Sequence, residues 1–326
     1  MKSVAVPRRP AVLLTALGFG ASQGGNLYRA RSDEEFAAAV DAAWDNGIRY
    51  FDTAPHYGLG LSERRLGAAL RSRPRDDYVV STKVGRLLVP SPETAHLTDP
   101  EGFEVAADHR RAWDFSRDGV LRSLEGSLER TGLDRIDVVY LHDPDDHWQQ
   151  AATEAVPALV ELRDQGVIRA IGAGMNQSPM LTRFVRETDI DLVMCAGRFT
   201  LLEQGALRDL LPAAVERDVA VVVAGVYNSG LLARDRPAAN ATYNYRQAPA
   251  DLLDRTIHIA QICESYGTTL PEAALAYVRT HAAVAATVVG LGTASQAHET
   301  IRRSNAEIPA DLWPALESAG LLHQRL

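Results

Sequence analysis

Cysteine is scarce in this chain: Cys195 and Cys263 are the only two in 326 residues, and neither belongs to a C-x-x-C pair. That excludes a disulfide-stapled scaffold and a zinc–thiolate site, and it fits a reducing compartment, so a cytoplasmic location is expected. Basic charge is also short. Thirty-four Lys and Arg face 42 Asp and Glu, a net charge of −8, which argues against a nucleic-acid partner because phosphate contacts need a basic face. Long apolar runs are missing as well. Residues 11–21, behind Lys2, Arg8 and Arg9, loosely resemble a short signal peptide, but Gly18 and Gly20 break the run and it is too short to span a bilayer. No membrane segment or membrane partner is expected. No G-x-G-x-x-G opens a helix after the first apolar run, which removes support for a Rossmann half. His96, His109 and His147 form no H-x-H or H-E-x-x-H pattern, so no metal site is expected.

What is present is globular composition, 46% hydrophobic and 23% charged, and a repeated alternation. Short apolar runs at 13–18, 48–52, 78–83, 136–142, 168–173, 192–196, 219–224 and 286–290 each end on, or run directly into, a polar or glycine residue. Their length and their Val and Ile content suit fully buried parallel strands. Amphipathic stretches lie between them, at 33–46, 62–71, 117–130, 149–165, 179–187, 205–217, 251–266, 271–281 and 294–304. Ser32 with Glu35 three residues on reads as a capping box for the first, and Gly47 closes it. Eight strands in one unbroken series of crossover units predict an α/β chain folded as a closed (β/α)8 TIM barrel, one domain over residues 1–326. The surplus over a typical barrel falls at 85–115, at 226–250 and in the C-terminal tail; two long loops at one end of a barrel suggest a lid over a pocket.

Barrel enzymes carry their chemistry at the C-terminal ends of strands. Those ends hold Asp52 in FDTAPHYG, Lys83 in VVSTKVG and His142 in VVYLHDPD, with Tyr57 five residues beyond Asp52. Four titratable groups from three neighbouring strands thus share one rim. A tyrosine with its ordinary pKa near ~10 is a poor proton carrier at neutral pH. A close lysine ammonium favours the phenolate and is expected to lower that pKa, while a carboxylate holds the lysine charged and in place. A histidine can donate a hydrogen bond to the reacting oxygen. Such a set moves a proton to or from an oxygen, as carbonyl reduction or alcohol oxidation requires when a hydride carrier sits alongside.

In these contexts Asp52, Tyr57, Lys83 and His142 resemble the catalytic tetrad of the aldo-keto reductases, and the phrase FDTAPHYGLGLSERRLGAAL resembles that superfamily's signature. The similarity runs essentially end to end. Within it, GNLY, GMNQ, AGRFTLLEQG and VYNSGLL are similar to the bacterial L-fucose or D-threo-aldose dehydrogenase group. The resemblance implies an NAD(P)-dependent oxidoreductase acting on a sugar or other small polar alcohol or carbonyl. Tyr57 would be the general acid/base, Lys83 its pKa modulator, Asp52 the lysine's partner and His142 the substrate-orienting donor. Alternatives are an enzyme like pyridoxal 4-dehydrogenase, a general aldehyde or ketone reductase, or a nucleotide-binding regulatory subunit with little turnover.

The resemblance also implies an extended dinucleotide across the barrel mouth. Tyr227, Asn228 and Gly230 fall in the loop that would cover the pyrophosphate, and Gly290, Thr293, Gln296 and Glu299 lie where relatives hold the adenosine end. The sequence departs from many relatives after strand 5, where Gly174 and Met175 replace a Ser-Asn pair and Asn176 is the substitute for holding the carboxamide. Ala196 replaces a glutamine after strand 6, with Arg198 nearby as a contact for cofactor or substrate. Gln296 stands where NADP-preferring relatives commonly place arginine, so NAD is expected to be favoured. His56 is a further candidate for lining the substrate pocket, and Trp113 and Phe115 are candidates for covering substrate, with satellite packing as the alternative for both. Asp143, Asp145 and Asp146 read as a solvated turn, and Cys195 as buried and inert.

Overall fold

The structure, a computed structural model, describes residues 1–244 and 246–323; residue 245 of the surplus segment 226–250 and residues 324–326 of the tail lie outside it. The chain opens with an antiparallel hairpin, β1 (Ser3–Val6) and β2 (Arg9–Thr15), before β3 (Leu17–Gly20). It continues through α1 (Asp33–Asp45), β4 (Tyr50–Asp52), α2 (Leu61–Leu70) and β5 (Val79–Val84). A second antiparallel hairpin, β6 (Arg86–Pro90) and β7 (His109–Trp113), precedes α3 (Arg117–Thr131) and β8 (Val138–His142). Next come α4 (Trp148–Gln150), a π-helical turn at Ala151–Ala155, α5 (Val156–Asp164), β9 (Ala170–Met175), α6 (Ser178–Glu187), β10 (Leu192–Ala196), α7 (Leu210–Glu216) and β11 (Ala220–Ala224). The two-residue strands β12 (Thr242–Tyr243) and β13 (Arg246–Gln247) pair within the following long loop. The last described elements are α8 (Ala250–Ser265), α9 (Leu270–Val278), β14 (Val284–Gly290), α10 (Ala294–Ser304) and α11 (Leu312–Ser318).

Strands β3, β4, β5, β8, β9, β10, β11 and β14 pair in parallel in that order, and β14 returns to β3 to close an eight-stranded barrel. This is the (β/α)8 architecture that the alternation predicts. Local signals place the helices. The Ser32 hydroxyl accepts from the Glu35 N–H at 3.1 Å to start α1, and Gly132, left-handed at φ 63°, ends α3. The stretch 205–217 is not one helix: a 3₁₀ turn at Gly205–Leu207 comes first, and Asp209 caps α7 through the Leu210 N–H at 2.6 Å.

One strand differs from the sequence reading. The first barrel strand is Leu17–Gly20, not 13–18; residues 13–15 end the hairpin that stoppers the barrel floor. Val12 and Leu14 are buried among barrel-interior residues such as Tyr50, Val138 and Val222, whereas Leu13 is 52% exposed. A half-exposed hairpin strand and a buried barrel strand adjoin here, so their apolar residues merge into one run. Arg9 anchors the hairpin to Asp191 at 2.9 Å.

The consequence is testable. A chain lacking residues 1–21 would lose both β3 and the hairpin, and β14 and β4 would be left with open edges. Such a truncation is expected to be insoluble or to lack a cooperative thermal transition by circular dichroism; a folded, cooperatively melting product would contradict this placement of β3.

Candidate active site

Side chains alternate along a strand, so residues two apart share a face. On β4, β5 and β8 the last inward pairs are Tyr50 with Asp52, Ser81 with Lys83, and Tyr140 with His142, and all six are buried. They form two tiers. In the lower tier the Tyr50 hydroxyl lies 3.1 Å from the hydroxyls of both Ser81 and Tyr140. Ser81 donates to Asp52 Oδ1 at 2.7 Å, which joins the tiers. In the upper tier Lys83 Nζ donates to Asp52 Oδ2 at 2.7 Å and to the Thr53 carbonyl at 2.9 Å. Its ammonium lies 4.7 Å from the centre of the Tyr57 ring. The Tyr57 and His142 rings meet edge to face, centres 5.9 Å apart. The structure therefore brings Asp52, Tyr57, Lys83 and His142 together.

Electrostatics decide which protonation states are present. Burial disfavours charge on Lys83, but Asp52 and Tyr57 outweigh it and raise the ammonium's pKa above its usual value, so Lys83 is a fixed cation. Burial pushes the Tyr57 pKa up, and the opposing pull of Lys83 does not cancel that rise. Lys83 lowers the Tyr57 pKa as expected, but burial outweighs it, so the net position is raised and the resting tyrosine is neutral. Burial, reinforced by Arg86 and Lys83, holds His142 well below the normal histidine range. Its Nδ1 is buried without a hydrogen-bond partner among the described residues. A neutral tyrosine and a neutral histidine beside a locked cation can donate hydrogen bonds and a proton to one oxygen.

The outer candidates divide. His56 packs edge to face on His142 (5.4 Å) and Phe103 (5.3 Å), and burial with Arg86 and Arg111 drives its pKa down to about 2. It is part of the rim. Trp113, 47% exposed, ends β7 above that rim, and Phe115 is buried behind it. Asn176 and Arg198 line one cleft of about 430 Å³ with Gln177, Ser178, Pro179 and Asn244. Cys195 is buried, and burial pushes its thiol up to about 12, as an inert core residue should be.

Asp143 is not part of a solvated turn. It is paired with Arg86 and lies 3.8 Å from His142 Nε2 through Oδ2. Arg86 and Arg111 were not among the candidates; Arg111 clamps Asp99 with two bonds of 2.6 and 2.7 Å and donates to the His56 carbonyl at 2.8 Å. The available signal was position: Arg86 follows Lys83 by three residues. Ser81 and the tyrosine tier were also missed, and their signal was the period of two on each strand.

A dinucleotide fits the far side of the mouth. Asn228, Ser229 and Gly230 are left-handed in succession, at φ 45°, 59° and 92°, and none of the described residues lies within 4 Å of where a Gly230 Cβ would stand. Backbone N–H groups in such a turn suit a pyrophosphate. The Asn228 side chain is spent internally: Thr200 donates to its Oδ1 at 2.7 Å and its Nδ2 donates to the Gly197 carbonyl at 3.3 Å. Asn228 therefore shapes the loop. Tyr227 lies half-buried beside it, its phenol pushed up to about 12 by burial. Beyond exposed Gly290, the Thr293 hydroxyl caps α10 through the Gln296 N–H at 3.1 Å, and the Gln296 side chain accepts from the Gly292 N–H at 2.9 Å. The 11-residue α10 presents its N-terminus there, a favourable place for phosphate.

Comparison with known proteins agrees with this geometry. The model of the aldo/keto reductase family matches residues 16–320. A D-threo-aldose 1-dehydrogenase of a Pseudomonas species is 50% identical over 95% of both chains. A pyridoxal 4-dehydrogenase of Microbacterium luteolum is 36% identical over 96% of both. Among solved structures, the holo form of an aldo-keto reductase from Bacillus halodurans superposes with a TM-score of 0.76 at 25% identity, covering 100% of this chain and 98% of that one.

Proposed function

The chain belongs to the aldo/keto reductase family and is an NAD(P)-dependent oxidoreductase, and we propose that its substrate is an aldose, oxidised at C1 with Tyr57 as the acid/base. The observation that carries the substrate class is the end-to-end 50% identity with a D-threo-aldose 1-dehydrogenase. The chemistry rests on the Asp52–Lys83–Tyr57–His142 arrangement. Bound NAD(P) supplies the hydride acceptor. His142 orients the C1 hydroxyl, Tyr57 takes its proton as the phenolate, and Lys83 stabilises that phenolate while Asp52 fixes the lysine. In the reverse direction the neutral tyrosine donates the proton. Asn176 and the loop at 227–230 hold the nicotinamide and pyrophosphate ends, and Gly290, Thr293, Gln296 and Glu299 hold the adenosine end. The test is a panel of aldoses, with pyridoxal and simple aldehydes alongside, followed by absorbance of the reduced nicotinamide. Oxidation of L-fucose or another aldose is expected; turnover of pyridoxal alone would move the substrate assignment, and turnover of nothing would remove it.

For the cofactor we propose a preference for NAD. A 2′-phosphate needs a cation to replace its hydration. Gln296 provides none, and nearby arginines are already paired: Arg31 with Glu35 at 3.2 Å, Arg302 with Glu272 at 2.9 Å and Arg303 with Glu299 at 2.7 Å. Wild-type kcat/KM is expected to be higher with NAD than with NADP. Gln296→Arg adds a charge-assisted contact of about 1.5–3 kcal/mol, before the cost of ordering the side chain, and should improve NADP use roughly tenfold. A clear wild-type preference for NADP would mean that one of these arginines leaves its carboxylate for the phosphate.

A further inference from the structure

Arg86, the first residue of β6, is placed unusually for an arginine at a hairpin end. Gly85, at φ 102°, turns the chain out of the barrel directly after β5, and a Cβ there would run into the buried Phe115 ring at 2.1 Å. The turn delivers Arg86 back over the rim. Its guanidinium lies 4.4 Å from the centre of the Trp113 ring, pairs with Asp143, and approaches His56 Nδ1 at 3.4 Å. Its Nε is buried with no hydrogen-bond partner among the described residues. Asp143 follows His142 directly and adopts a left-handed φ of 45°, a conformation that aspartate tolerates better than most side-chain-bearing residues. Trp113 stacks on Phe115 and His147, with ring centres at 6.0 and 5.1 Å, which rigidifies it while it stays exposed.

From this geometry we infer that Arg86, Asp143 and Trp113 form a hydroxyl-reading wall beside Tyr57 and His142, which selects a pyranose carrying a hydroxyl next to the reacting carbon. The inference rests on the aldose reading above. A sugar hydroxyl both donates and accepts, and a guanidinium beside a carboxylate offers both complements in one plane. The exposed part of Trp113, whose ring carries the Arg86 guanidinium, gives the wall an apolar border for the C–H groups of a pyranose. The Asp143 carboxylate balances the guanidinium, so the wall suits neutral hydroxyls and opposes a phosphorylated sugar. A site built to hydrogen-bond a hydroxyl rejects the analogue that lacks it, because its polar groups are then left unpaired.

The test pairs L-fucose and L-galactose with their 2-deoxy counterparts and measures kcat and KM for wild type, Arg86→Met, Arg86→Lys and Trp113→Ala. Wild type is expected to favour the hydroxylated sugar by roughly tenfold or more. Arg86→Met should collapse that ratio, mainly through KM. Arg86→Lys should recover part of it, since lysine keeps the charge and loses the planar fork. Trp113→Ala should raise KM for both members of each pair. Cofactor affinity, read by nicotinamide fluorescence, and the thermal midpoint establish that each variant is folded; if Arg86→Met is not, Arg86→Lys carries the test through its reduced ratio. A wild-type enzyme that oxidises both members of each pair equally well, or discrimination that survives intact in both Arg86 variants, overturns the wall and leaves the aldose reading standing. A wild-type enzyme that oxidises no aldose overturns both.

Discussion

Tyr57→Phe is expected to reduce kcat/KM by at least the ~10²-fold typical of a lost acid–base group, with cofactor affinity retained. The substitution keeps the ring, so its packing against Phe103 (6.2 Å) and His142 (5.9 Å) survives and only the hydroxyl goes. No nearby group takes over. His142 and His56 are both held neutral in their surroundings, and Lys83 is locked as a cation. Steady-state kinetics with an aldose, with cofactor binding measured separately, checks it. Activity within a few-fold of wild type would remove Tyr57 from the chemistry. The raised Tyr57 pKa also fixes the sign of the pH dependence. Oxidation needs the phenolate, so its rate should climb as pH rises toward the tyrosine's pKa. Reduction needs the protonated form and should be flat near neutrality and decline at alkaline pH.

Lys83→Met should be as damaging, and in two separable ways. Without the ammonium, burial acts on Tyr57 unopposed, so its pKa rises further and the alkaline limb of the oxidation profile moves to higher pH. The same change strands the Asp52 carboxylate, which is 3% exposed and takes its 2.7 Å charge partner from Lys83. Removing one member of a buried pair costs about 3–5 kcal/mol because the other charge is left uncompensated. Denaturant unfolding should show that loss. Combining Lys83→Met with Asp52→Asn removes the stranded charge and should restore much of the stability while activity stays low. If the double variant regains both, Lys83 acts only as a structural partner of Asp52.

Much of this molecule was legible in its sequence for identifiable reasons. Barrel strands are buried on both sides, so they stand out as short Val- and Ile-rich runs between capped amphipathic helices, and the series of eight already implied closure. Three of the eight runs end on a polar side chain rather than glycine or alanine, so Asp52, Lys83 and His142 could be named as rim candidates from their positions alone. Where burial differs along one apolar run the reading slipped: residues 13–15 line the floor hairpin and Leu17–Gly20 the barrel, because only tertiary packing leaves Leu13 exposed. The protonation of Tyr57 was likewise beyond the sequence, since it is set by a contest between burial and Lys83 that depends on three-dimensional distances. So was the rim wall. Arg86, Trp113 and Asp143 come from a hairpin end, its partner strand and the turn after β8, separated by up to 57 residues between Arg86 and Asp143. Composition and periodicity determine which segments become strands and where polar residues end them; only the closed barrel decides which of those residues meet and how far they are removed from water.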